Sequence, residues 1–133
     1  GVPAIGFSLL DYRWNANFNE SKDFIKKITE NALKNGIPNG VVLNVNIPSV
    51  KKSEIKGIKV CRQAKASWVE EFEKRKNTFG QDYYWLTGKF VNKDKGEDTD
   101  EWALNQNYIS IVPVEFDLTA HHAIQELNEW NFK

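Results

Sequence analysis

Polar and apolar positions alternate or recur with helical spacing in well-separated stretches of this chain. Leu43, Val45 and Ile47 alternate with Asn44 and Asn46, the pattern of a strand with one apolar face, and Pro48 ends its pairing. Ile58 and Val60 open a further strand after a basic linker at 50–56. Tyr108, Ile109, Ile111, Val112 and Val114 make a largely apolar one. Residues 3–10 are a short apolar run around Gly6, whose length and flanks suit a buried strand. Between these lies the clearest helix. Phe24, Ile25, Ile28, Ala32 and Leu33 fall on one face. Asn19 or Ser21 is placed to cap it, Glu20 and Asp23 sit near its positive end, and Asn35-Gly36 followed by Pro38 stops it.

Residues 68–76 carry two conflicting signals. Trp68/Phe72, Glu70/Lys74 and Glu71/Arg75 are i, i+4 pairs, as in a helix. The turn-like Phe79-Gly80-Gln81-Asp82 and the strand-like Tyr83-Tyr84-Trp85-Leu86 instead favour a hairpin with 68–75 as its first arm. Residues 92–101 read as a polar loop, with Thr99 placed to cap a short helix through Trp102, Ala103 and Leu104. Asn107 tolerates left-handed backbone after it. At the end, Asp117 or Thr119 can cap a helix whose stripe is Ala120, Ala123, Ile124, Leu127 and Trp130. So short a helix is marginal alone and must dock on something.

Composition narrows the function classes. Eighteen basic and eighteen acidic residues give zero net charge, so nothing favours an extended nucleic-acid or membrane surface. The apolar share of 41% and aromatic share of 13% predict a folded domain, or part of one. Cys61 is the single cysteine, which points to a reducing compartment. No run approaches the ~20 apolar residues of a membrane span, and no signal peptide is visible. The absence of methionine and the start at glycine predict a truncated chain or proteolytic fragment.

Four groups carry candidate chemistry. Asp94, Glu97, Asp98, Asp100 and Glu101 form an acid cluster without the glycine and terminal glutamate of a calcium loop, so a solvated loop is expected over a metal site. His121 and His122 project ~100° apart on a helix and do not converge on one ion. Structural hydrogen bonding is expected of them, with Asp117 and His121 one helical turn apart. Trp68, Tyr83, Tyr84, Trp85 and Trp102 offer stacking surfaces for a base or sugar, but core or interface use is the expectation. Cys61 is expected to be a small buried filler rather than a nucleophile.

The order and spacing of these segments resemble a known family. VLNVNIP at 42–48, IKGIKVCRQ at 55–63, GQDYYWLTGKF at 80–90, DTDEWAL at 98–104, YISIVPV at 108–114 and FDLTAHH at 116–122 are similar to the C-terminal half of SurE-type survival proteins. Residues 2–9 match that family's mid-chain strand. The resemblance implies a metal-dependent phosphatase of nucleoside 5'- or 3'-monophosphates, with short polyphosphate as a further substrate, using Mg²⁺ or Mn²⁺. It implies that the metal ligands lie in segments upstream of Gly1, so no catalytic or metal-binding residue is expected in this chain and the chain alone is expected to be inactive. It implies a hairpin over 68–90, with Trp68, Glu70 and Phe72 on one face. Asp98-Thr99-Asp100 matches a Gly-Thr-Asp motif, with Asp98 in the glycine's place, and suggests Thr99 and Asp100 at the substrate-pocket rim. The segment 117–121 matches a hinge from which the C-terminal helix packs on a neighbouring subunit, making Asp117, His121, Leu127 and Trp130 hinge or interface residues of a homo-oligomer, a dimer or tetramer.

The expected fold is therefore α/β, the C-terminal portion of a SurE-like, Rossmann-type three-layer domain with projecting β-hairpins and a terminal helix. The expected division is a core unit at 1–62, hairpins and last strand at 63–117, and an assembly helix at 118–133, in a cytoplasmic protein. Two other classes remain open: an assembly or interaction module without activity of its own, and an aromatic-rich carbohydrate-binding module.

Overall fold

A computed structural model describes residues 2–132; Gly1 and Lys133 lie outside the described residues. The elements follow in the order β1 (Ala4–Leu9), α1 (Lys22–Asn35), β2 (Val41–Ile47), β3 (Gly57–Val60), β4 (Ala66–Lys76), β5 (Asp82–Asn92), α2 (Asp100–Asn105), β6 (Tyr108–Glu115) and α3 (His121–Asn128). Four strands form the body's sheet in the order β1-β2-β6-β3. β1 pairs parallel to β2, β6 runs antiparallel to β2, and β3 runs parallel to β6. β4 and β5 form a separate two-stranded sheet.

The sheet's alternation separates two faces. On one, Ile5, Phe7, Leu9, Leu43, Val45, Ile47, Ile109 and Ile111 meet Ile28, Phe24 and Ile25 of α1. Val45, Ile47 and Ile109 are wholly buried there. On the other face, Cys61 and Val112 pack with Ala103 of α2, flanked by Trp102 and Tyr108. The architecture is thus helix, sheet, helix, the expected α/β class.

Local sequence signals account for most boundaries. Gly36 adopts φ 77° and its N–H reaches the Ala32 carbonyl at 2.9 Å, closing α1. Asn107 takes φ 63° between α2 and β6, the left-handed turn its side chain tolerates. Thr99 caps α2: its Oγ1 accepts from the Trp102 N–H at 3.2 Å.

Five expectations are corrected. Neither Asn19 nor Ser21 caps α1 through its side chain; Ser21 Oγ donates to the Phe18 carbonyl at 3.0 Å, serving a short 3₁₀ turn that leads into the helix. Leu33 is 81% exposed, because it lies about 140° around the helix from Ile28 and misses the sheet. β1 is not buried on both faces: it is an edge strand whose Ala4, Gly6 and Ser8 side is open. α3 has neither Asp117 nor Thr119 as cap; it starts after Ala120, and Asp117 instead accepts from the Thr119 N–H at 2.9 Å in a turn before the helix. Of the core or interface use expected of Trp68, Tyr83, Tyr84 and Trp85, the core half fails: all four are exposed on the hairpin.

The hairpin reading prevails over the helical one for 68–76. Trp68 lies opposite Phe90, Phe72 opposite Leu86 and Lys74 opposite Tyr84, so Trp68, Glu70 and Phe72 do share a face. Glu71 pairs with Lys89 at 3.5 Å and Lys74 with Asp82 at 2.6 Å, across the strands rather than along a helix. The turn closes through Gly80 at φ 78° and a 2.9 Å bond from the Asn77 N–H to the Gln81 carbonyl. Gly88 is obligatory for another reason: a Cβ there would sit 2.2 Å from Trp68 Nε1, so the indole lies across a bare stretch of β5.

Candidate functional site

The carboxyl ends of β1 and β2 open into a hollow of about 450 Å³, lined among others by Asp11, Arg13, Asn15, Asn17, Lys51 and Glu54. Ligands of open α/β sheets bind in the crevice beyond the carboxyl ends of their strands, so this is where the topology offers a site. The chain leaving β1 turns back at once, with the Asp11 N–H on the Leu9 carbonyl at 2.7 Å. That turn puts the Asp11 carboxylate onto Arg13, with Oδ1 accepting from Nε at 2.8 Å and Oδ2 from Nη2 at 2.6 Å. The Arg13 hydrogen bonds hold the Asp11 carboxyl at about 2, well below its ordinary value. Arg13 itself stays largely solvent-exposed, a fixed cation at the mouth. The far wall is tied to α1 and the 3₁₀ turn before it by Lys52, whose N–H reaches Glu20 at 2.9 Å and whose ammonium pairs with Asp23.

The acid cluster lies elsewhere. β6 runs against β2, with Ser110 beside Asn46 and Glu115 beside Val41, and β3 follows β6. Arg62, just past β3, therefore stands toward the amino end of β2, away from the hollow. Thr99 bridges to Arg62 as a strand-like extension of that edge. Arg62 gathers the cluster: Nη1 reaches Asp94 at 2.6 Å and Nε reaches Asp98 at 2.8 Å. Asp94 also accepts from the N–H groups of Lys65 and Gly96, both at 3.0 Å. Its Arg62 contact is the main reason its carboxyl is held far below the usual range. A Cβ on Gly96 would come within 2.5 Å of Arg62 Nη2, so the fold requires a bare backbone there. Arg62, Asp94 and Asp98 thus form a clasp at the base of the hairpin, a use more specific than the solvated loop expected of the cluster.

Thr99 and Asp100, the expected rim pair, work in this clasp. Thr99 is buried, donates to the Gly96 carbonyl at 3.0 Å and caps α2. Asp100 accepts from the Ala64 and Glu101 N–H groups at 2.8 and 2.9 Å. Thr99, with Asp94, Trp102 and Asn105, borders a second hollow of about 400 Å³. Asp117 and His121 do meet, at 2.7 Å. Thr119 and then His121 hold the Asp117 carboxyl at about 2. Leu127 and Trp130 stay exposed. Cys61 is buried, and that burial raises its thiol pKa, as suits a filler rather than a nucleophile. Trp102 stacks on Tyr108 at 6.5 Å with the Lys59 ammonium 4.6 Å from the indole centroid, so it is occupied structurally.

The described residues do not bring together the ligands of a metal centre. Among the described residues no three His, Cys, Asp or Glu side chains converge as one ligand set, and the best-placed carboxylates, Asp11, Asp94 and Asp98, are engaged by arginines. The pattern reading missed Asp11, Arg13 and Arg62. For Asp11 and Arg13, their place two and four residues beyond the end of β1 was the available signal.

The family model of "Survival protein SurE" matches residues 1–70, the stretch that builds β1, α1, β2, the hollow and β3. The chain belongs to the SurE family. It is 68% identical over 131 residues to the 5'-nucleotidase SurE of Christiangramia forsetii, covering 98% of this chain and 50% of that protein. It is 66% identical to the 5'-nucleotidase SurE of Flavobacterium psychrophilum, with coverages of 98% and 51%. The crystal structure of the SurE protein from Aquifex aeolicus matches with a TM-score of 0.79 at 36% identity, over 96% of this chain and 51% of that one. The chain spans about half the length of the curated relatives it matches.

Proposed function

We propose that this chain is the C-terminal portion of a metal-dependent phosphatase of nucleoside 5'- or 3'-monophosphates. The observation that carries the reading is family membership over the segment that forms the hollow at the carboxyl ends of β1 and β2. Relatives twice as long bear the name 5'-nucleotidase. In this reading Mg²⁺ or Mn²⁺ is held by the half of the enzyme that this chain does not match. It would neutralise the phosphoryl oxygens and supply a nucleophile from bound water.

This chain's share is different. The open edge and open face of β1 receive the rest of the domain, because a parallel strand left bare on one side exposes unpaired backbone groups. Arg13, fixed by Asp11, brings a positive charge to the crevice. Residues 1–62 form the core unit, 63–117 add the hairpin and the strand that completes the sheet, and 118–133 serve assembly. The protein is a cytoplasmic homo-oligomer, a dimer or tetramer, in which the arm past the Asp117–His121 pair carries α3 to a neighbouring copy. The exposed apolar stripe of α3 supports that exchange. The lone, buried Cys61 suits a reducing compartment.

The test compares this chain alone with the chain joined to the upstream half of a close relative. Phosphate release from AMP and GMP is measured with Mg²⁺ or Mn²⁺. The joined protein is expected to be active and the chain alone inactive. Metal-stimulated release by the chain alone at the joined protein's rate would overturn the assignment of the metal to the other half. No release by the joined protein would overturn the nucleotidase reading.

A further inference from the structure

The Asp11–Arg13 pair leaves half of the guanidinium unused. Asp11 accepts from Nε at 2.8 Å and from Nη2 at 2.6 Å, and the Arg13 backbone N–H reaches the same carboxylate at 3.1 Å. The Asp11 side chain is 7% exposed beneath the pair and the Arg13 side chain 76%. A guanidinium carries five N–H donors in one rigid plane. Those of Nη1 and the outer one of Nη2 have no partner among the described residues. They form a parallel fork at the mouth of the hollow beyond β1 and β2, and its plane is fixed by the buried carboxylate.

Such a fork matches two adjacent acceptors. An anionic group offers them, and so do O6 and N7 of guanine. Charge decides between the two. The Asp11 carboxylate offsets the Arg13 charge at contact distance, and the hollow is lined by three acids, Asp11, Glu20 and Glu54, against two bases, Arg13 and Lys51. A phosphate dianion is not drawn to a wall of that balance, whereas hydrogen bonds to a neutral base need no net charge. In the reading above the phosphate also has the metal of the other half. The end of the nucleotide left for this hollow is the base.

The acids favour guanine as well. The Glu54 and Glu20 carboxylates each accept one backbone N–H, from Lys51 at 3.0 Å and from Lys52 at 2.9 Å, through one oxygen. Each keeps its other oxygen for a donor, and guanine presents two, N1–H and the 2-amino group. Adenine fits neither set. Beside N7 it carries an amino donor, which would face the N–H groups of the fork, and its N1 is an acceptor, which would face carboxylates. Mismatched polar groups of this kind are left unpaired, and that is how a site rejects a close analogue. The volume of about 450 Å³ is that of a small-molecule site. We propose that this hollow is a guanine-reading subsite, in which Arg13, held by Asp11, takes O6 and N7 and sets the base preference. The inference rests on the nucleotidase reading and adds the base to it.

The test uses the joined protein with Mg²⁺ or Mn²⁺. kcat/KM is compared for GMP, IMP and AMP, and binding of the uncharged nucleosides guanosine and adenosine is measured by calorimetry. A good bidentate base contact discriminates by about fivefold to 150-fold. The wild type is expected to favour GMP over AMP, and guanosine over adenosine, by about tenfold or more. IMP keeps O6 and N7 but lacks the 2-amino group, so it is expected between them. Arg13→Gln presents an amide that matches N6 and N7 of adenine, and is expected to erase or reverse the preference. Arg13→Lys keeps the charge without the fork, and is expected to lose most of it. Arg13 is largely exposed, so both variants are expected to fold, which circular dichroism checks. Inhibition by inorganic phosphate is expected to be the same in the wild type and both variants.

Weaker phosphate inhibition in Arg13→Gln, with GMP and AMP losing alike, would make Arg13 a phosphate contact and overturn the base site. Equal use of GMP and AMP by the wild type, or a preference that survives both substitutions, would overturn it too. If the joined protein releases phosphate from neither nucleotide, the nucleotidase reading falls and the calorimetry decides the subsite. Guanosine binding tighter than adenosine, and lost in Arg13→Gln, would uphold it; no guanosine binding would overturn it.

Discussion

The body and the hairpin use apolar residues in opposite ways. In the body, Val45, Ile47 and Ile109 are wholly buried between β-sheet and α1. In the hairpin, Trp68, Phe72, Tyr84, Leu86 and Phe90 line one face of β4 and β5, and each is between 49% and 68% exposed. A two-stranded hairpin is at best marginally stable in water without a covered face. The opposite hairpin face has more polar devices, with Glu71 on Lys89, Glu73 on Arg75, and Arg75 5.3 Å over the Trp85 ring. The contrast teaches that apolar content alone does not mark a core. In the body it closes the fold of one chain, and in the hairpin and α3 it stays on the surface.

The sharpest way to break the contrast is a matched pair of truncations. Ile109→Ala should cost about 2–5 kcal/mol of unfolding free energy, from lost burial and the cavity left behind. Phe72→Ala, measured at a dilution where the chain is monomeric, should cost within about 0.5 kcal/mol, as surface changes do. Urea unfolding of both variants decides it, and equal losses would mean that the hairpin face is core after all. A smaller effect is expected from Gly88→Ala, at about 1–3 kcal/mol, because the new methyl collides with the Trp68 indole and the β4 backbone. Its loss should be confined to the hairpin, with faster amide exchange over 66–92 and a changed indole fluorescence. Arg62→Ala should open the hairpin's base rather than unfold the body, so limited proteolysis should cut first near 93–98.

The smallest effect is at acid pH. The Asp11 and Asp117 carboxyls are each held at about 2, against an ordinary value of 3.8. A carboxyl depressed by folding stabilises the folded form fully above its ordinary value and loses that contribution as pH falls through the lowered one. The Asp11–Arg13 contact and the Asp117 contacts with Thr119 and His121 should therefore persist down to pH 4 and fade between about 4 and 2. Carboxyl carbon shifts should show both groups titrating near 2. Titration near 3.8 at Asp117 alone would mean that the turn from Asp117 to His121 is open in solution.

How far the fold was legible depended on whether the deciding interaction was local. Gly36, Asn107 and Thr99 could be read because each answers to its own neighbours in sequence. The alternating run through Leu43, Val45 and Ile47 could be read because one face of it is buried by α1. Ser21 misled because a hydroxyl near a helix start can serve the preceding 3₁₀ turn as easily as the helix. Residues 68–76 were ambiguous because cross-strand charge pairs and i, i+4 pairs draw on the same residue types. Only the family resemblance chose the hairpin. At the site, the Asp117–His121 contact lay within one helical turn and was visible. The Arg62 clasp joins positions more than thirty residues apart, as in its bond to Asp94, and left no local trace.

The most direct measurement of the central claim is amide hydrogen exchange followed across protein concentration. The body should exchange alike at every concentration: α1, β2 and β6 answer to a core within one chain. Residues 66–92 and 118–130 should become protected as concentration rises through the self-association range, because the proposed assembly covers their apolar faces with another copy. Protection of the hairpin and α3 that is the same at every concentration would contradict the account.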